Sequence, residues 1–241
     1  MFLAWFIPII VVFIVLFFAI AIKVGKKKKF VSKIKIPPID SKEQAGKEGE
    51  RIVNDRIQKL ISNKLKGQGI SHPKFIFFVY KQDTCEIDNL VVTKGGIFII
   101  ETKNWKGEIT GNLNDKNWTK TKKYYRTEFT YDYDIQSLEN PIQRNDRHLN
   151  NFSNIWKKVC NNIPPKITPI VIFPYSKNPP EGTHNIESAF SLIIKLSKHG
   201  SYSVAEIENV ILKIIEKYGA TEEDHIKTIN RLEQKHKSLS F

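Results

Sequence analysis

The sequence predicts an α/β domain preceded by one membrane-spanning helix. Three observations carry this. The first stretch of the chain is apolar and uncharged. Short β-rich runs then alternate with helical periodicity in the order α, β, β, β, α, β. Glycines separate two of the β-rich runs as in a hairpin.

Residues Phe2 to Ile22 carry no charged side chain. At about 1.5 Å of rise per residue, a helix of that length covers the roughly 30 Å hydrocarbon core of a bilayer. Only a helix satisfies its own backbone in lipid. A cleaved signal peptide is the rival reading, with Ala19-Ile20-Ala21 imitating its cleavage site. It requires a positive leading segment and a shorter apolar run, and neither is present. Lys23, Lys26, Lys27, Lys28, Lys29, Lys33 and Lys35 follow, with no acid before Asp40. Such a cluster holds the following domain on the cytoplasmic side of the cell membrane, and Lys26 to Lys29 face anionic headgroups. The expected organisation is a transmembrane helix over 1–22, a basic juxtamembrane linker over 23–40 and one domain over 41–241.

Removing those seven lysines from the formal charge of +13 leaves +6 for the domain. That is compatible with a polyanionic partner without requiring one. Cys85 and Cys160 stand far apart and the six histidines are scattered singly. This spacing argues for reduced thiols and against a zinc site.

Within the domain, a helix is expected from Ser41 through Ile61, with Ile52, Val53, Ile57, Leu60 and Ile61 at helical spacing. Gly46 and Gly49 weaken its first turns, which suggests close approach of another element. Strands are expected at Phe75–Tyr80, Glu86–Thr93 and Ile97–Lys103, the last two joined by Lys94-Gly95-Gly96. Residues 108–135 read as an irregular or hairpin insertion. Asn140-Pro141 opens a helix to about Cys160. Ile167–Phe173 and Phe190–Leu196 read as strands. Val204–Tyr218 and Glu222–Lys237 read as closing helices.

Loop parity decides the chemistry. With a two-residue turn, Asp88 lies across from Glu101 or Lys103, and all three project together. A three-residue loop would turn Asp88 to the other face. Two carboxylates and a lysine at the end of apolar strands need partners or a metal, and oxygen ligands favour Mg²⁺ or Mn²⁺. A salt bridge between Lys103 and a neighbouring acid would use the same residues.

Four motifs in order resemble the NERD (nuclease-related) domain, a branch of the PD-(D/E)XK nuclease-like superfamily. They are Gly46-x-x-Gly49-Glu50, Glu86-Ile87-Asp88-Asn89-Leu90, Glu101-Thr102-Lys103-Asn104-Trp105-Lys106-Gly107 and Asn140-Pro141-x-Gln143. The motifs fall within 41–155. The resemblance implies a central mixed β-sheet flanked by helices, a restriction-endonuclease-like core. It implies metal ligation by Asp88, Glu101 and Glu50, with Lys103 as catalytic lysine and Gln143 as a polar group on the following helix. The superfamily's proline before the aspartate is absent, with Ile87 in its place. The implied activity is divalent-metal-dependent hydrolysis of DNA or RNA. The alternative is a non-catalytic nucleic-acid-binding or scaffold module at the membrane. Lys106, Lys120, Lys122, Lys123 and Arg126 are the candidate nucleic-acid contacts. The last four lie in a stretch where charge interleaves with aromatics, as in single-strand binders and also in lysine-guarded edge strands.

Overall fold

The structure is a computed structural model that describes residues 42–126 and 131–238. The membrane helix expected over 1–22 and the linker with Lys26 to Lys29 lie outside the described residues. Among the described residues, no helix is long and apolar enough to cross a membrane.

A four-stranded mixed sheet forms the centre, in the order β1 (Gly69–Tyr80), β2 (Asp83–Thr93), β3 (Gly96–Thr102), β7 (Ile167–Ile172). β1, β2 and β3 pair antiparallel, whereas β3 and β7 are parallel. Parallel neighbours need a long crossover. Here it holds a second antiparallel sheet of β4 (Glu108–Thr110), β5 (Asn117–Tyr125) and β6 (Tyr131–Glu139), followed by helix α2 (Pro141–Cys160). The insertion expected over 108–135 is thus regular and extends to Glu139.

Helices cover both faces of the central sheet. On one, Phe152 and Ile155 of α2 and Ile207, Ile211 and Ile214 of α4 (Val204–Tyr218) pack on Leu90, Val92, Ile97 and Ile99. On the other, Val53 and Ile57 of α1 (Lys42–Lys59) and Ala189 and Ile193 of α3 (Ile186–Lys198) pack on Val91, Phe98 and Ile100. Every residue of β3 is buried, which explains its uninterrupted apolar run. Each fully buried Ile or Phe contributes about 1.5–3 kcal/mol of transfer free energy.

The run Phe190–Leu196, expected as a strand, is helical. Asn185 caps α3 by accepting from the Ser188 N–H, and Ile186, Ala189 and Ile193 are buried at helical spacing. The first strand is also longer than expected, beginning at Gly69 rather than Phe75. Pro73 is tolerated because β1 is an edge strand. Helix α5 (Glu222–Ser238) closes the chain over the β1–β2 turn. Its Arg231 donates to the Gln82 carbonyl and to Asp83 Oδ1, both at 2.7 Å.

The turn between β2 and β3 holds two residues, Lys94 and Gly95, with Thr93 paired to Gly96. Gly96 has φ +108, and a Cβ there would lie 2.2 Å from the Lys166 carbonyl oxygen. The even register therefore holds.

Candidate active site

The site lies at the C-terminal end of β3, where its pairing with β2 ends. Lys74 adopts φ 50, opposite Asp88, between the pairs Pro73↔Asn89 and Phe75↔Ile87. Strand alternation resets there, since Ile87 packs in the same core as Leu90 and Val92. Asp88 sits at this reset, and its Oδ2 accepts the Thr102 N–H at 2.6 Å. Burial, then the neighbouring charge of Glu101, pushes its carboxyl well above the ordinary range.

Glu101, the penultimate residue of β3, has no exposed surface. Lys103, two residues on, pairs with its Oε1, and Arg144 Nε lies 3.2 Å from the same oxygen. His148 Nδ1 is 3.4 Å from Oε2. Burial would raise this carboxyl, but Lys103 and Arg144 outweigh it and hold the group below its usual value. Two adjacent acids are thus driven apart in proton affinity, the pattern that separates roles in acid–base sites. His148 is pushed down to about 4, chiefly by burial, and is neutral at pH 7.

Helix α2 delivers Arg144 and His148 one turn apart. Its N-terminus is seated by Asn140, whose Oδ1 accepts the Ile142 N–H and whose Nδ2 donates to the carbonyls of Leu113 and Asp115. Buried Asn145 then donates to the carbonyls of Ile99 and Ile170, tying α2 to β3 and β7 beside Glu101. Gln143 donates to the carbonyls of Asn114 and Asp115, both at 3.2 Å, so its amide nitrogen belongs to the same seat.

Glu50 approaches from α1, half-buried. Its carboxyl is raised by burial first and by Glu86 second. The close approach expected near the helix glycines is real at Gly49, where a Cβ would meet Asn104 Cβ at 2.7 Å. Asn104 in turn donates to the Ala45 carbonyl at 2.8 Å, locking α1 beside the Lys103 segment. Glu86 and Lys74 complete the charge cluster, and Lys74 also pairs with Glu222 of α5 at 2.7 Å.

Arg144, His148, Lys74 and Glu86 were not singled out from sequence as functional groups. One signal was available for α2. Asn145 and His148 are polar on the buried stripe that continues through Phe152 and Ile155. Among the described residues, no three His, Cys, Asp or Glu side chains cluster closely enough to form a metal cage.

Of the candidate nucleic-acid contacts, Lys106 is exposed near the end of the third motif. Lys120 and Lys122 lie on one face of the β5–β6 ladder, opposite Gln136 and Asp134, and Lys123 lies on the other, opposite Tyr133. Arg126 pairs with Asp132.

A family model of the nuclease-related domain, NERD, matches residues 45–174, more than half of the chain. The chain belongs to the NERD family. An uncharacterized protein of Bacillus anthracis is 31% identical over 104 residues, 43% of each chain, so the match spans less than half of that relative. No solved structure matches. The matched NERD segment contains Glu50, Asp88, Glu101, Lys103 and Arg144, whereas α3, α4 and α5 lie beyond it.

Proposed function

We propose that this NERD protein is a membrane-tethered, divalent-metal-dependent nuclease acting on DNA or RNA. The observation that carries the reading is the buried Asp88–Glu101 pair, with opposed proton affinities, beside Lys103 and Arg144. A charged carboxylate with no exposed surface is costly to keep, and such arrangements concentrate at functional sites.

The donor set suits Mg²⁺ or Mn²⁺ in a particular way. Mg²⁺ is commonly held by one or two carboxylates and keeps several waters, so a three-residue cage is not required. Both Glu101 oxygens are buried without a well-directed hydrogen bond, and repulsion between Glu101 and Asp88 favours a cation near both. Asp88 and Glu101 would hold the ion, with Glu50 supporting from α1. When bound, the ion would acidify a coordinated water and offset charge on the phosphate. Lys103 would orient the attacking water through Nζ, and the Arg144 guanidinium would neutralise the scissile phosphate. His148, neutral at pH 7, would offer a hydrogen bond at Nδ1. Gln143, Asn140 and Asn145 would act as positioning residues that fix α2.

A second reading has its own support. Lys103 and Arg144 already neutralise Glu101, as they would in a non-catalytic nucleic-acid-binding module. Calorimetry separates the two. Full chain in detergent should bind Mg²⁺ or Mn²⁺, and Asp88→Asn or Glu101→Gln should abolish the heat. Absence of metal binding by the wild type would favour the binding module.

The membrane tether rests on the uncharged run 2–22 and the lysines after it. A reporter fused after Phe241 should read as cytoplasmic, with the chain in the membrane fraction. A soluble secreted form beginning near Lys23 would overturn it.

A further inference from the structure

The β5–β6 ladder is an arm rooted at the N-terminus of α2, the helix that carries Arg144 and His148: Trp118 at its base packs with Ile142, and the Asn140 N–H donates to the Lys116 carbonyl at 3.1 Å. Its chain leaves the site after Lys103 and returns at Glu139, which accepts from Arg147 of α2 at 2.5 Å. Alternation along the ladder sorts its side chains into two chemistries. One face carries Lys123, Tyr125, Tyr131, Tyr133 and Ile135, and no carboxylate between Tyr131 and Ser137. Asp132 and Asp134 both lie on the opposite face. Tyr133 is 54% exposed and Ile135 68%, although an exposed sheet face is normally polar. The rings are edge-packed, with Tyr125–Tyr131 centroids 6.3 Å apart and Tyr131–Tyr133 centroids 5.6 Å apart. The Lys123 ammonium sits 3.6 Å from the Tyr131 centroid.

We propose that this face is a stacking platform for single-stranded nucleic acid, which feeds the strand along the arm toward α2 and the site that its Arg144 and His148 help to form. The proposal rests on the nuclease reading for the strand's destination and on the arm alone for binding. Aromatic faces with an interleaved cation bind single strands because every base has a π-face and every linkage a charge. In a duplex those base faces are already stacked inward. Segregation of Asp132 and Asp134 to the opposite face keeps the platform compatible with a polyanion, and Glu139, on the tyrosine face at the base, is paired with Arg147. At about 3.4 Å per residue, the Lys123↔Tyr133 rung lies roughly 17 Å beyond the Trp118↔Leu138 rung at the buried base of the arm. A few nucleotides would bridge that span.

The test is fluorescence anisotropy with labelled dT20, U20 and a 20-bp duplex, using full chain in detergent with chelator so that cleavage plays no part. The wild type should bind the single strands more tightly than the duplex. Tyr125→Ala/Tyr133→Ala should weaken single-strand binding at least about ten-fold and duplex binding far less, while Tyr125→Phe/Tyr133→Phe should retain it. Lys123→Ala should reduce the slope of log affinity against log salt by about 0.7. Unchanged single-strand affinity in the double alanine variant would overturn the proposal. So would equal loss on duplex, or loss of self-association or of vesicle binding in place of strand binding. A chain that binds strands through these tyrosines yet cleaves nothing would leave the platform standing and remove the nuclease reading.

Discussion

Replacing Lys103 by Met removes the cation closest to a carboxylate that has no exposed surface. At an effective dielectric near 20, unit charges about 4 Å apart attract by about 4 kcal/mol. Relief from burying the ammonium offsets part of this, because Lys103 is only 17% exposed. Arg144 remains 3.2 Å from Glu101, but its side chain is 43% exposed and partly screened. The net loss should be about 2–3 kcal/mol, below the roughly 3–5 kcal/mol found when a buried charge is left wholly unpaired. For a domain of this size that lowers Tm by on the order of 5–10 °C. Glu101→Gln alone should cost about 1 kcal/mol, since Arg144 is partly solvated and Lys103 keeps the Asp88 and Glu50 carboxyls nearby. The double variant Glu101→Gln/Lys103→Met should recover most of the Lys103→Met loss, with a coupling energy of about 2 kcal/mol in urea melts. A Lys103→Met chain as stable as wild type, or a double variant no better than the single, would refute the view of Glu101 as a buried charge held by these cations.

Three further outcomes follow from the same geometry. Asp88 binds its proton more tightly folded than unfolded, so between the ordinary value of 3.8 and its raised folded value only the folded state holds the proton. Stability contributed there falls as pH rises through that window, so Asp88→Asn should flatten the decline and be more stable at pH 7 in urea melts across pH 4–8. Gly49→Ala should destabilise by about 1–3 kcal/mol, because the new methyl meets Asn104 Cβ at 2.7 Å; an unchanged Tm would show that Asn104 yields freely. The Cys85 thiol, pushed up to about 12 chiefly by burial, should resist iodoacetamide at pH 8 until the chain is unfolded in urea, read by mass spectrometry.

Much of the fold was legible because it rests on local signals. Asn140-Pro141 marks a helix start through a cap and a missing N–H, and the helix begins there. The hairpin turn was legible through its glycines, and the two-residue alternative is the one adopted. Phe190–Leu196 misled because a short apolar run has no distinguishing period by itself. Its helical character comes from the Asn185 cap and from Ile186, which lie outside the run. Residues 69–74 of β1 were missed because Ser71, His72 and Pro73 resemble a turn, and only edge pairing with β2 makes them a strand. That Asp88, Glu101 and Lys103 come together was readable from parity and motif order. Arg144 and His148 were not, because their relation to Glu101 depends on how Asn145 docks α2 across two strands. The alternation reset at Lys74 and Asp88 was equally hidden, since a left-handed lysine leaves no mark in sequence.

The most direct measurement is a metal-titrated cleavage assay on the full chain in detergent, with single-stranded and duplex DNA and RNA. Cleavage by the wild type should rise with Mg²⁺ or Mn²⁺ and vanish in Asp88→Asn and Glu101→Gln chains that remain folded by circular dichroism. Lys103→Ala should retain metal binding and lose turnover. Metal-independent cleavage, or cleavage undiminished in Glu101→Gln, would contradict a phosphodiester-hydrolysing centre built on Asp88 and Glu101.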